Sequence, residues 1–288
     1  MNFSSLNRAV FLQLTVIMSI LMIIPALVAI AEKDYFVART FIYTSGAGFT
    51  VYTLIAIALS NVIKVQNNFE KLLSFILSYL FLPIFMALPL VLSIAEIRFI
   101  DAWLEMVSSF TTTGLNITNL ETFSGSAVQL WLGMVSWIGG IFFWICAISI
   151  LLPLNISRFE IGANDYVDRS SNKGYESVNS VMNTARHLIP IYLIITITLW
   201  LLLTLAGVSG FQALLMAMSV ISTSGFNVTN NEVPNVFIIE GIILIFFVFA
   251  LSKSLFIRDI NDIRKFRIFK DPEIRLALVI ILAVTGLF

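Results

Sequence analysis

Two stretches of similar sequence decide the fold of this chain. Residues 100–121 read IDAWLEMVSSFTTTGLNITNLE, and residues 211–232 read FQALLMAMSVISTSGFNVTNNE. Because residue 100 aligns with residue 211, the two stretches are offset by 111 positions. An internal repeat of this kind is a strong indication of architecture. The identical pairs are Ala102/Ala213, Leu104/Leu215, Ser108/Ser219, Thr112/Thr223, Gly114/Gly225, Asn116/Asn227, Thr118/Thr229, Asn119/Asn230 and Glu121/Glu232.

Each copy begins with about ten apolar residues of helical character, which cover about 15 Å, or half a membrane. A Thr/Ser-Gly-Asn stretch follows. We predict that each copy is a re-entrant hairpin, in which a short helix descends and an extended strand returns. Non-helical backbone is tolerated at membrane depth only where it faces protein or water. The returning strands are therefore expected to line a hydrated path.

The composition excludes a soluble domain. Hydrophobic residues make up 59% of the 288 residues and charged residues 12%, and 17 basic residues balance 17 acidic ones. This balance also argues against a disordered chain and a nucleic-acid binder. The single cysteine, Cys146, and the single histidine, His187, exclude an internal disulfide and metal sites that need several such ligands. We expect no enzyme activity and no cofactor.

The remaining apolar runs predict an all-α integral membrane protein, in which two transmembrane helices precede two direct helix–pore loop–helix repeats. The predicted domains are 1–66, 67–184, 185–272 and a truncated third repeat at 273–288. A cleaved signal peptide is the alternative for the first run, because Ala29-Ile30-Ala31 matches a small-residue cleavage site. The last run, 276–288, is too short to span a bilayer. Five or six runs reach the length of a span, and they are taken from 11–31, 41–62, 72–95, 128–154, 188–208 and 236–251.

The distribution of basic residues predicts the orientation. With the N-terminus in the cytoplasm, the outer segments hold only Lys33, Arg39 and Arg98 of the 17 lysines and arginines. Because positive charge is retained on the cytoplasmic side, this orientation is strongly favoured over its reverse.

The hydroxyl-glycine stretches suit a dehydrated monovalent cation. Backbone carbonyls and hydroxyls can replace the water around such an ion, and glycine reaches a positive φ without a steric penalty. Gly114 and Gly225 each follow three hydroxyl residues, and each short helix ends just before them, so that its negative dipole end faces the ion. Asp101 lies near the positive end of the first short helix. The alternative is that both stretches are surface turns, but two copies at corresponding places argue against it.

The motifs around these stretches resemble the Trk/Ktr/HKT superfamily of potassium transporters, and most closely its TrkH-like branch. The resemblance rests on Asp101-Ala102-Trp103, Thr111-Thr112-Thr113-Gly114, Trp137-Ile138-Gly139-Gly140, Ser224-Gly225-Phe226 and Asp271-Pro272-Glu273 in this order. It implies potassium uptake across a bacterial cytoplasmic membrane, with K+, or alternatively Na+, as the transported ion. The residues that it implies for ion binding are Thr112, Thr113, Gly114, Thr223, Ser224 and Gly225.

The resemblance also implies partners. The family has four repeats, whereas this chain carries two and the start of a third, so we expect either a missing second half or a second copy to complete the pore. Membrane lipids and a cytosolic nucleotide-binding regulatory subunit are the other expected partners, and nucleic acid is not. The alternatives are a secondary transporter of another small solute and an inactive or regulatory half-protein. Secondary transporters often use inverted repeats, whereas this repeat is direct.

Four isolated residues are weighed separately. Glu240, near the outer end of the sixth span, is a candidate functional carboxylate or an interfacial one. Glu105, within the first short helix, either attracts cations or satisfies nearby backbone, and the second role is favoured. His187 is expected at the inner interface, and Cys146 is expected to be a small apolar filler.

Overall fold

The computed structural model describes residues 10–58, 68–94, 96–115, 117, 125–148, 177–225 and 236–251. Within these ranges the regular elements are helices, and the predicted all-α membrane fold is confirmed. The helices are α1 (Val10–Leu21), α2 (Ile23–Ala31), α3 (Tyr35–Ala58), α4 (Asn68–Ser93), α5 (Phe99–Phe110), α6 (Ser126–Cys146), α7 (Ser177–Leu205), α8 (Gly210–Ser222) and α9 (Val236–Leu251).

Five helical segments in the described ranges are long and apolar enough to cross a membrane, which makes this a multi-pass membrane protein. They are α1 with α2, α3, the later part of α4, α6, and the later part of α7. Helix α9 has the bounds predicted for the sixth span, and its 16 residues extend about 24 Å. The seventh apolar run, 276–288, lies outside the described residues.

The first span is helical throughout but changes its path at Met22. Pro25 has no amide hydrogen, and its ring crowds the carbonyl of Leu21, so the helix is interrupted between α1 and α2. The helical hydrogen bonds continue on both sides, since Met22 N–H donates to Met18 O at 3.0 Å and Ala26 N–H donates to Met22 O at 3.3 Å.

Two predicted boundaries lie elsewhere in the structure. The second span begins at Tyr35 instead of residue 41, because the Asp34 carboxylate accepts a hydrogen bond from Val37 N–H at 3.2 Å and caps the helix. The domain boundary predicted between residues 184 and 185 falls inside α7, which begins at Ser177. Its first two turns are polar, so hydropathy detects only the spanning part from Thr184. The boundary predicted at residue 66 lies outside the described residues.

Helix α6 is the centre of the fold, with 78% of its most apolar window buried inside the protein. Both short helices, α5 and α8, pack against it. Helix α4 covers α5, whereas α7 and α9 cover α8, and α1 to α3 pack on the side of α4 and α6. The two predicted repeats therefore correspond to α4–α6 and α7–α9, and α6 is in contact with the short helix of each.

Buried indole and phenol groups attach α6 to the outer helices. Trp131 Nε1 donates to Met86 O of α4 at 3.1 Å. Trp137 Nε1 donates to Thr196 Oγ1 of α7 at 3.0 Å, and Tyr192 O–H of the same helix donates to Trp137 O at 3.1 Å. An indole or phenol group that is buried in an apolar layer needs such a partner, so these bonds restrict how α6 can turn.

Candidate functional site

The first short helix, α5, is anchored at its N-terminal end by an ion pair. Arg98 Nε lies 2.7 Å from one carboxylate oxygen of Asp101, and a terminal guanidinium nitrogen lies 2.9 Å from the other. This pairing raises the pKa of Arg98. Asp101 occupies the first helical turn, as predicted, where a carboxylate complements the free amide groups of the helix start.

The C-terminal end of α5 closes in a Schellman motif. Thr113 N–H donates to Ser108 O at 2.9 Å, and Thr112 N–H donates to Ser109 O at 3.1 Å. Thr112, the residue at the turn, has a φ of 53°. These bonds satisfy carbonyl groups at the end of the helix and send the chain back toward the strand.

The C-terminal end of α8 repeats this arrangement 111 residues later. Ser224 N–H donates to Ser219 O at 3.0 Å, and Thr223 N–H donates to Val220 O at 3.1 Å. Thr223 has a φ of 55°, in the left-handed region like Thr112. The sequence repeat is therefore also a repeat of hydrogen bonding and of backbone conformation.

The predicted positive φ values at the two glycines are confirmed. Gly114 has a φ of 72° and Gly225 a φ of 67°. The left-handed threonines were not predicted, because a β-branched residue is uncommon in this conformation. The signal that could have revealed them is their place, since the residue after a helix end commonly adopts the left-handed conformation whatever its type.

The returning strand of the first loop is attached to α5 by two side chains. Ser108 Oγ accepts a hydrogen bond from Leu115 N–H at 2.7 Å and donates to Leu115 O at 3.0 Å. Glu105, which is only 1% exposed, accepts a hydrogen bond from Ile117 N–H at 3.1 Å. Glu105 therefore satisfies the backbone of the strand, which agrees with the structural role favoured from the sequence.

The second repeat differs at the helix positions that bind the first loop. Ser219 corresponds to Ser108, and its hydroxyl lies 3.4 Å from that of Ser224. The position that corresponds to Glu105 is occupied by Met216, so α8 offers no carboxylate there. Phe226 and the polar residues after it, 227–232, lie outside the described residues, as do residues 116 and 118–121 of the first copy.

The two loops come into backbone contact with each other. A Cβ atom on Gly114 would collide with the carbonyl oxygen of Ser224, so the side-chain-free face of Gly114 lies directly against the second loop. Gly225 has open space at the corresponding point. The structure therefore brings predicted site residues from two distant stretches to one place.

The first loop carries threonine hydroxyls directly before Gly114. Thr111 Oγ1 and Thr113 Oγ1 lie 2.7 Å apart, and Thr111 Oγ1 also donates to Val107 O at 2.7 Å. Most of the loop residues are exposed, whereas Thr112 is half-buried and Ser224 is only 3% exposed. The exposed ones are Thr111, Thr113, Gly114, Thr223 and Gly225.

Three of the four isolated residues lie in longer helices and not in the two loops. Glu240 of α9 and His187 of α7 are exposed, and Cys146, at the end of α6, is buried in the apolar core as expected for a filler. Among the described residues, no group of three or more His, Cys, Asp and Glu side chains is placed to hold a metal ion.

These features define a class: a multi-pass helical membrane protein in which two half-membrane helices end in glycine-containing loops that meet. Comparison with known proteins agrees with this class. The chain is 35% identical over 150 residues to an uncharacterized cation transporter of Methanocaldococcus jannaschii, which covers 51% of this chain and 30% of that protein. It is 27% identical over 237 residues to the Trk system potassium uptake protein TrkH of Salmonella typhimurium, covering 79% of this chain and 46% of that protein.

Two further comparisons concern the same family. The Trk system potassium uptake protein TrkI of Halomonas elongata is 30% identical over 52% of this chain and 30% of its own length. The crystal structure of the potassium transporter TrkH from Vibrio parahaemolyticus matches the fold with a TM-score of 0.74 at 23% identity, over 99% of this chain and 57% of that one. No protein-family model matches the chain.

The resemblance to the Trk potassium transporter family is confirmed by these matches. These relatives are named as potassium uptake proteins and cation transporters, so the chain resembles membrane transporters. The chain spans about half the length of the TrkH relatives that it matches, in agreement with the predicted N-terminal half.

Proposed function

We propose that this chain contributes two filter loops to a potassium uptake pore of the cytoplasmic membrane. The observation that carries the proposal is the contact between the Gly114 backbone and the Ser224 carbonyl oxygen, which brings the two repeated loops together. The names of the relatives, Trk system potassium uptake proteins and a cation transporter, support K+ as the transported ion.

The local chemistry supports a dehydrated cation at this point. Both short helices end at the loops, so the negative ends of their dipoles face the same region. The threonine and serine hydroxyls add oxygens, while the positive φ values at Gly114 and Gly225 turn the backbone at each loop. The ligands that we propose are oxygens of Thr112, Thr113, Gly114, Thr223, Ser224 and Gly225.

Two loops surround an ion on only part of its circumference. The exposed loop residues present hydroxyl and backbone groups that need protein or water opposite them. We therefore propose that the functional pore is a longer or multi-subunit assembly in a bacterial cytoplasmic membrane, with the N-terminus in the cytoplasm. A cytosolic nucleotide-binding regulatory subunit is the proposed soluble partner.

Alanine substitution of the two loop glycines tests the proposal. Gly114→Ala introduces both a strained φ and a collision with Ser224, whereas Gly225→Ala introduces the strain alone. We expect both substitutions to lower Rb+ uptake, by about tenfold or more for Gly114→Ala and less for Gly225→Ala, because misplacement on the order of 1 Å strongly affects a positioned site.

Uptake is measured in potassium-dependent cells that carry the chain within its full native assembly. Gly241→Ala in α9 is the matched control, since a Cβ atom there meets nothing within 4 Å. Unchanged Rb+ uptake in Gly114→Ala, at equal amounts of protein in the membrane, contradicts the proposal. Uptake of another solute that is independent of K+ and Na+ points instead to a secondary transporter.

A further inference from the structure

We infer that Gly139 and Gly140 of α6 together form a close-packed contact surface that positions both filter loops. The effect that we expect on the ratio of Rb+ to Na+ uptake rests on the proposed function, whereas the positioning of the loops does not. The two glycines are adjacent in one buried helix, and each meets the last residue of a different short helix.

Gly139 lies against the end of α5. A Cβ atom at Gly139 would collide with the carbonyl oxygen of Phe110 and would lie 2.8 Å from its carbonyl carbon and 3.1 Å from its Cα. Phe110 is the last residue of α5 and directly precedes Thr111. Because these neighbouring atoms are backbone, they cannot move aside unless the end of the helix and the first loop move with them.

Gly140 lies in the same way against the end of α8. A Cβ atom at Gly140 would lie 3.0 Å from Ser222 Cβ and 3.1 Å from Ser222 Cα, and 2.9 Å from the hydroxyl oxygen of Tyr192. Ser222 is the last residue of α8 and directly precedes Thr223. A methyl group at this position therefore presses on the second loop and on α7.

Gly133, the other glycine of α6, does not contact the backbone of a short helix. A Cβ atom at Gly133, two turns earlier in α6, would meet only the far ends of side chains, Leu215 Cδ2 at 2.9 Å and Met218 Sδ at 3.8 Å. Such atoms can move by rotation of the side chain. Close contact between α6 and the backbone of the short helices is thus concentrated at Gly139 and Gly140.

Hydrogen bonds from both repeats hold the glycine pair in place. Tyr192 of α7 donates to Trp137 O at 3.1 Å, and Tyr79 of α4 donates to Gly139 O at 3.4 Å. Tyr79 also packs on Phe110, with ring centroids 4.9 Å apart. One segment of α6 therefore receives a tyrosine from each repeat, and it supports the loop of each repeat.

Loop positions are measured directly by electron paramagnetic resonance. Cys146→Ala removes the only native cysteine, and Leu115→Cys with Thr223→Cys places one nitroxide label on each loop, at positions that are exposed. In the full chain, Gly139→Ala and Gly140→Ala are expected to change the dipolar broadening between the labels. Gly133→Ala and Gly241→Ala are the matched controls and should leave it unchanged.

A broadening that is unchanged in Gly139→Ala and Gly140→Ala overturns the inference, and so does an equal change in the two controls. Tyr192→Phe is the second variant, because it removes a hydrogen bond to Trp137 without adding volume. If the alanine variants do not fold, a changed broadening in Tyr192→Phe supports the inference and an unchanged one contradicts it.

A transport measurement separates this inference from the proposed function. We expect the ratio of Rb+ to Na+ uptake to fall about tenfold in Gly139→Ala and Gly140→Ala, since catalytic and binding geometries tolerate displacements on the order of 1 Å poorly. Altered broadening with no Rb+ uptake even in the unsubstituted assembly means that the glycines position the loops but that the proposed function is wrong. If the broadening is unaltered and the unsubstituted assembly takes up Rb+, the glycines do not position the loops, whereas the proposed function stands.

Discussion

At the scale of the residue, the loops depend on left-handed backbone at four positions. Two are glycines, Gly114 and Gly225, and two are threonines, Thr112 and Thr223. The conformation costs an L-residue about 1–2 kcal/mol, and it is least favourable for a β-branched side chain. Strain of this kind persists where the surroundings enforce it, and here the Schellman hydrogen bonds do so.

Replacing Thr112 with glycine should release this strain. We expect Thr112→Gly to raise the free energy of unfolding by about 0.5–1 kcal/mol, since the relief exceeds the entropy that glycine adds to the unfolded chain. Rb+ uptake should nevertheless fall, because a hydroxyl is lost from the proposed filter. Thermal unfolding of the purified protein measures the first effect.

The control for this change is Thr53→Gly, at an exposed position inside α3. Glycine in a helix interior is expected to destabilise it by about 0.5–1 kcal/mol, the opposite sign. A loss of stability in Thr112→Gly as large as that in Thr53→Gly would show that the left-handed threonine is not strained.

At the scale of the element, the first loop is a helix and a strand joined by side chains of the helix. The Ser108 hydroxyl both donates to the Leu115 carbonyl and accepts from the Leu115 amide. Glu105, one turn earlier in α5, accepts from the amide of Ile117. Extended backbone that leaves a helix inside a membrane needs such partners, because the apolar surroundings supply none. The second repeat retains the serine but has Met216 where the first has Glu105.

Substitution of Glu105 tests how much the strand depends on this bond. Glu105→Met reproduces the second repeat and removes the acceptor, so we expect a loss of about 1–3 kcal/mol in the free energy of unfolding. Glu105→Gln retains a carbonyl acceptor and should cost less. Thermal unfolding and amide hydrogen exchange at residues 111–117 report the two effects.

Met216→Leu, at the matching position of α8, controls for a change of side chain in a short helix, and it should cost less than about 1.5 kcal/mol. If exchange at Ile117 is as slow in Glu105→Met as in the unsubstituted protein, the carboxylate does not hold the strand.

At the scale of the whole molecule, the two repeats share one central helix. The hydrogen bonds of Trp131 and Trp137 connect α6 to α4 and α7, and the glycine pair faces both short helices. The N-terminal helices α1 to α3 pack mainly against one another and against α4 and α6. The arrangement brings the two loops into contact, as the proposed ion path requires.

The predicted orientation of the molecule is tested by labelling single cysteines. Lys33→Cys lies between α2 and α3, on the predicted outer side, and Arg186→Cys lies near the predicted inner end of the spanning part of α7. We expect a membrane-impermeant maleimide to label Lys33→Cys in intact cells and Arg186→Cys only after permeabilisation.

The unsubstituted chain serves as the control, because Cys146 is only 1% exposed and should not react. The reverse pattern of labelling contradicts the cytoplasmic N-terminus.

Most of the helices of this protein could be predicted from its sequence alone. Hydropathy and length identify spanning helices, because both are properties of consecutive residues. The repeat at an offset of 111 identifies two half-length helices with glycine loops. The motifs also indicated the resemblance to Trk potassium transporters. The residues that cap the helices were harder to predict, as the earlier start of α3 at Tyr35 and the left-handed conformation of Thr112 illustrate.

The contacts between distant residues follow from how the helices pack. Gly114 faces Ser224, Gly139 faces Phe110 and Gly140 faces Ser222, and none of these pairs is indicated by sequence spacing. Such contacts arise where helices cross at a particular rotation and depth, and these depend on the packing of all the side chains between them. The sequence therefore predicted two loops, and the fold brought them together.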